Sequence, residues 1–129
     1  MATFTVKTTS RAEMVDITHD IERVIHENHV QDGFCHIFAP HTTAGITINE
    51  GADPSVREDI VTILNRLVPW EGGYRHIEGN SAAHIKTTLV GSFEIIAVKN
   101  GHLQLGTWQA VFFCEFDGPR TRKVHVHFF

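Results

Sequence analysis

From Phe93 to Phe128 the chain reads as one strand after another, with no helical stretch between them. Phe93, Ile95 and Ala97 alternate with Glu94, Ile96 and Val98, and Asn100-Gly101 is a hairpin turn. Ala110 to Phe116 is strongly apolar, Asp117-Gly118-Pro119 turns the chain, and Val124, Val126 and Phe128 alternate with Lys123, His125 and His127. Strands thus cluster at the end of the chain instead of alternating regularly with helices. That pattern argues for α+β, a compact sandwich of mostly antiparallel sheet, and against a doubly wound fold. Both residue sets of Phe93–Val98 are largely apolar, so both faces of that strand are expected to be covered.

The first two thirds supply the helices, about three in all. Phe4 and Val6 alternate with polar neighbours as a strand, and Met14, Val15 and Ile17 begin a second short element. Thr18 is placed to cap a helix whose Ile21, Val24 and Ile25 share one face. That helix should end near Asn28-His29, and Phe34 to Ala39 reads as a central strand carrying a buried His36. Asp53-Pro54 is a helix start, Asp as N-cap and Pro in the first turn. Val56, Ile60, Ile63, Leu64 and Leu67 then recur at helical spacing until Pro69. Trp70 to Gly79 reads as a loop. Asn80 is a good N-cap for a third helix with a stripe of Ala82, Ile85 and Leu89, and Gly91 ends it.

The 129 residues suit a single domain, 1–129. A net charge of -4 gives no footprint for nucleic acid, and Arg120-Thr121-Arg122-Lys123 is too short and isolated a basic cluster to change that. No apolar run is long enough to span a membrane. Cys35 and Cys114 sit in apolar runs and read as buried, reduced thiols, so a cytoplasmic location is expected. Ten histidines are many for this length and direct attention to metal or acid–base chemistry.

The densest chemistry lies in His41-Thr42-Thr43-Ala44-Gly45-Ile46-Thr47-Ile48-Asn49-Glu50. Pro40 closes the preceding strand, and Ile46 and Ile48 alternate with Thr47 and Asn49 as a half-buried strand. His41 falls at its start and Glu50 just past its end, with Asp53 close behind. Strand-end loops are where a scaffold presents functional groups. The plainer reading is a turn histidine, two β-forming threonines and a solvated acid. His76 and His84 lie in the Gly-rich loop and at a helix start, so any histidine metal site must be assembled from distant segments. A catalytic zinc site needs about three protein ligands and one open position. The start of the 80–90 helix is a second candidate, for an anion, with Asn80, Ser81 and Lys86 complementing a phosphate and Thr42 and Thr43 adding hydroxyls. A nucleophilic Ser or Cys is not supported: Ser81 lies in a helix cap, and a thiol in an apolar strand is inert.

Together, "GFCHIFAPH", "HTTAGITINEGADPSVREDI", "YRHIEGNSAAHIK" and "GHLQLGTWQAVFFCEFDGPR" resemble the YjbQ-like family, whose members are often labelled secondary thiamine-phosphate synthases. The resemblance implies a compact α+β sandwich assembling as a homotrimer, with the polar motif residues gathered in a cleft near a subunit boundary. Carried over by position, these are His41, Thr42, Thr43, Asn49, Glu50, Asp53, His76, His84, Lys86, Trp108 and Gln109. The label implies transfer of a pyrimidine-methyl group from its diphosphate to a thiazole phosphate nitrogen, with release of pyrophosphate. A metal-assisted hydrolase of a phosphate-containing or other small substrate, and a non-catalytic trimeric small-molecule binding protein, are the alternatives. Because His41, His76 and His84 fall inside three of these motifs, they are expected to converge on one divalent metal, zinc before magnesium. Glu50 or Asp53 would orient a ligand or take a proton. Thr42, Thr43, Asn49, Asn80, Ser81, Lys86, Trp108 and Gln109 would bind a small phosphorylated molecule.

Overall fold

The computed structural model describes residues 1–129. Eight strands and three helices run in the order β1 (Ala2–Lys7), β2 (Glu13–Asp16), α1 (Thr18–Glu27), β3 (Gly33–Phe38), β4 (Ala44–Glu50), α2 (Pro54–Leu67), α3 (Ser81–Val90), β5 (Phe93–Lys99), β6 (His102–Leu103), β7 (Gln109–Glu115) and β8 (Thr121–Phe128). They form a five-stranded sheet, β1-β8-β3-β5-β6, and a three-stranded sheet, β2-β7-β4. Every pairing is antiparallel, but of the consecutive strands of the last third only β5 and β6 pair with each other, since the turn at Asp117-Gly118-Pro119 carries the chain from β7 in the small sheet to β8 in the large one. The fold is the α+β sandwich expected.

One core fills the space between the sheets and is closed by α1. Phe4, Ile37, Val98, Val124 and Val126 meet Ile46, Val111 and Phe113 there, with Ile21, Val24 and Ile25 of α1. A second cluster lies on the other face of the small sheet, where Met14, Phe112, Cys114 and Phe116 pack against Ile60, Val61 and Leu64 of α2 and Ala83 of α3. Strand β7 is thus buried on both faces, which explains its unbroken apolar run. Phe112 and Phe113 point to opposite sides and are both fully buried, each contributing roughly 1.5–3 kcal/mol of transfer free energy. Cys35 and Cys114 are buried free thiols. Burial pushes the first up to about 11 and the second up to about 12.

Local expectations hold in part. Asp53 caps α2 by accepting the Ser55 N–H at 3.0 Å, with Pro54 in the first turn. Thr18 is not a cap: Ile17 holds the N-cap position, and the Thr18 hydroxyl accepts the Val111 N–H at 2.9 Å, tying helix to sheet. Asn80 occupies its N-cap position without capping, since its amide donates to Asp117 Oδ2 at 2.9 Å. Glu50 is the last residue of β4, not beyond it.

The expected apolar stripe of α3 holds at Ala82 and fails at Ile85 and Leu89. Ala82, Ala83, Lys86 and Thr87 face inward, while Ile85 and Leu89 are 39% and 62% exposed. Small and polar side chains are selected inward because α3 lies close on β4. Ile46 N–H donates to Gly91 O at 3.1 Å, and a Cβ on Gly45 would collide with that carbonyl. On α2, Ile60 and Leu64 pack inward but Ile63 and Leu67 are exposed.

The outer face of the large sheet is bare. Phe93 and Ile95 are about half exposed, as is Phe34, so β5 is covered on one face only. His36 is not buried; it lies on this face among Phe38, Phe93 and His127.

Candidate functional site

The largest cavity, about 760 Å³, opens where β3 and β4 are joined and where α3 and β8 begin. His41, Thr42 and Thr43 form one wall, and His76, Asn80 and His84 another. Arg120 and Arg122, from the run that composition alone dismisses, complete it with Glu78 and Ser92.

Arg122 is its most constrained group. Nε donates to Glu115 Oε2 at 2.8 Å, and Nη2 donates to Glu115 Oε1 at 2.5 Å and to Thr43 Oγ1 at 2.9 Å. Nη1 has no partner within the chain, and the side chain is 5% exposed. Burial pushes the Glu115 carboxyl up, but Arg122, the Asp117 N–H and the Thr8 hydroxyl outweigh it and hold the group below its ordinary value. Thr43 is buried and its Oγ1 accepts from Arg122, which leaves its own O–H as a donor on the cavity wall. Arg120 is held by Asp117 through Nε to the carbonyl (2.8 Å) and Nη2 to Oδ2 (2.7 Å).

The three histidines share this cavity. The β8 backbone holds His41: Nε2 lies 3.0 Å from Lys123 N and 3.2 Å from Lys123 O. Burial and the nearby Arg122 lower its pKa, which keeps the ring neutral at physiological pH. His76 and His84 stand edge to face with centroids 5.4 Å apart, and Glu78 Oε1 lies 4.0 Å from His76 Nε2. The three side chains do not present nitrogens within 4.8 Å of one another, a condition that only a different trio in this chain meets. Asn80 lines the cavity and keeps a buried Oδ1 without a donor.

The remaining candidates lie elsewhere. Asn49, Glu50 and Gln109 sit at the far end of β4, where Glu50 is in register with Gln109 and Gly51 N–H donates to Trp108 O at 2.8 Å. At about 3.3 Å per residue, that end is roughly 20 Å from Thr43. Glu50 Oε2 is buried there without a partner. Asp53 caps α2, and its bonds from Ser55 lower its pKa. Trp108 is exposed. Lys86 runs away from the cavity to donate to Asn65 Oδ1 at 2.5 Å, and burial and then Arg11 lower its pKa. Ser81 opens α3 but is not among the cavity-lining residues.

Sequence reasoning missed Glu78, Ser92, Arg120, Arg122 and Glu115. The signal for Arg122 was there: it shares strand phase with Val124 and Val126, so its charge had to be buried. Glu115, inside an apolar strand, is its counterpart.

Residues 2–129 match the family model described as UPF0047 protein YjbQ-like. The chain belongs to the YjbQ-like UPF0047 family. It is 50% identical over 127 residues to UPF0047 protein YugU of Bacillus subtilis, covering 98% of this chain and 96% of that one. It is 54% identical over 123 residues to UPF0047 protein MJ1081 of Methanocaldococcus jannaschii, covering 95% and 89%. A crystal structure of a YjbQ/UPF0047-family protein from Clostridium acetobutylicum superposes with a TM-score of 0.97 at 49% identity, covering all of both chains. The conserved hypothetical protein TT1486 of Thermus thermophilus gives 0.94 at 40% identity, again covering both chains fully. The YjbQ-like fold is thus shared along the whole chain. No helix is long and apolar enough to cross a membrane.

Proposed function

We propose that the cavity binds a phosphorylated small molecule and acts as a thiamine-phosphate synthase-like transferase. The bond from the pyrimidine methylene to its diphosphate oxygen breaks, the thiazole phosphate nitrogen takes that carbon, and pyrophosphate leaves. Arg122 carries this reading: a guanidinium fixed on two nitrogens by a buried carboxylate, its third nitrogen unpartnered, on a cavity wall shared with three histidines. A prearranged cation stabilises charge developing on a leaving diphosphate without reorganisation. Neutral His41 accepts the Lys123 N–H at Nε2, which leaves Nδ1–H to donate to the phosphate. The unpartnered Asn80 Oδ1 suits an N–H donor such as the exocyclic amine of a pyrimidine.

A divalent ion fits only incompletely. His76 and His84 would be its nitrogens, since the three cavity histidines do not bring their ring nitrogens within 4.8 Å of one another. Such donors suit zinc, whereas magnesium takes carboxylates and water. When bound, the ion would supply Lewis-acid charge to the diphosphate.

The homotrimer belongs to the same reading. Phe38 both lines the cavity and lies on the bare sheet face, so a subunit boundary on that face would run beside the site. The protein is expected to act in the cytoplasm.

The test mixes the pyrimidine diphosphate and the thiazole phosphate with tag-free protein and measures pyrophosphate release. Release that is lost in His41→Gln supports the transferase. Binding of both compounds without turnover supports a non-catalytic module, and hydrolysis of a phosphate ester instead supports the metal-assisted hydrolase.

A further inference from the structure

Away from the cavity, α1 and the β5–β6 hairpin bring Glu22, His26 and His102 together. Glu22 and His26 stand one turn apart on the same face of α1. His102 opens β6 directly after the Asn100-Gly101 turn. One ligand atom from each residue lies within 4.8 Å of the other two. His102 Nδ1 is 3.3 Å from Glu22 Oε2, and the His26 ring stands edge-on to His102 with centroids 5.4 Å apart. Both histidines are exposed and the acid is half-buried, so an ion has access from solvent.

We propose that Glu22, His26 and His102 form a divalent-metal site of the zinc class, separate from the candidate cavity. Donors 2.0–2.1 Å from a tetrahedral ion lie roughly 3.4 Å apart, close to the Glu22–His102 separation. His26 closes the set by turning an exposed side chain. Two imidazoles and one carboxylate leave the fourth position to water. The carboxylate is already oriented, because the Leu103 N–H donates to Glu22 Oε1 at 3.1 Å. The frame beneath is firm: Ile21, Val24 and Ile25 anchor α1 in the core, and Gly101 N–H donates to Gln31 O at 2.9 Å. A Glu22–His102 hydrogen bond alone would leave the placing of His26 unexplained.

The site sits beside the Gly33–Val98 end of the large sheet, whereas Phe38 at the other end of β3 lines the cavity. An ion here would join helix to hairpin and stabilise the fold by mass action.

Zinc titration of tag-free protein by calorimetry, with thermal unfolding in parallel, tests the site. His76→Gln/His84→Gln removes two of the three cavity imidazoles and should keep one zinc equivalent and the rise in Tm. His26→Gln and His102→Gln should each weaken that equivalent at least about tenfold and abolish the rise. Both positions are exposed, so these variants should fold. Unchanged zinc affinity in His26→Gln and His102→Gln, or loss of all zinc binding in the cavity variant alone, overturns the proposal.

Discussion

Glu115 and Arg122 meet through two charge-assisted hydrogen bonds where β7 leaves the small sheet and β8 enters the large one, and neither side chain is exposed by more than 5%. The pair therefore locks the two sheets together and sets the charge of the cavity wall. Removing one partner strands the other in a dry environment. Arg122→Met should cost about 3–5 kcal/mol in urea unfolding, and Arg122→Met/Glu115→Leu clearly less. Equal losses in the single and double variants would mean that the pair is not coupled.

The same pair gives the protein an acid limit. The Glu115 pKa is lowered in the fold, so the unfolded chain binds the proton more readily. Its contribution is complete above the ordinary carboxylate value of about 4.5 and is lost as pH falls through the lower folded value. Stability measured from pH 6 to 2 should fall less steeply in Glu115→Gln than in the parent, once its lower starting stability is allowed for.

His41 should titrate below 6.5 by NMR, because burial and Arg122 disfavour its protonated form. Its stabilising contribution is present above 6.5 and declines as pH falls through the folded value. Inorganic phosphate in the cavity should raise the midpoint, since an anion favours the imidazolium. A midpoint indifferent to phosphate would place the anion elsewhere.

Gly45→Ala should destabilise by about 1–3 kcal/mol, because the new methyl meets the Gly91 carbonyl and forces α3 off β4. It should also weaken phosphate binding, as His84 rides on α3. Ala44→Gly, one residue away but buried in the inter-sheet core, should lower stability without that loss.

Light scattering should report three chains for the parent, and Phe93→Glu/Ile95→Glu should yield monomers of unchanged circular dichroism. Both residues are half exposed on the bare sheet face, so the charges cost little in the isolated fold. Trimers persisting in the double variant would locate the interface on another surface.

The elements were legible where local chemistry is unambiguous. Asp53-Pro54 starts α2, Asn100-Gly101 turns the hairpin, and β7 advertises its two buried faces. What periodicity could not supply was the inward face of α3, where close approach to Gly45 favours Ala83 and Thr87 over Ile85 and Leu89. Within the site, the histidines and Thr42 were found because their types suggest chemistry. Arg122 and Glu115 were passed over because each reads as a stray charge until strand phase puts both inside. Glu50 follows His41 and Thr42 closely in sequence but lies at the opposite end of β4, beside Gln109 at the start of β7, since a strand separates its ends instead of joining them.

The two buried thiols have a practical consequence. Only the thiolate attacks maleimides and iodoacetamides, and ionisation near 11 and near 12 leaves almost none at pH 8. Towards such reagents the folded chain behaves as if it had no cysteine. A single cysteine introduced at exposed Thr88 on α3, two residues before the Val90 end of the helix, would then carry one fluorophore or spin label at a defined stoichiometry. The native chain would need no prior cysteine replacement, and the label would report on ligand entry from the helix that bears His84.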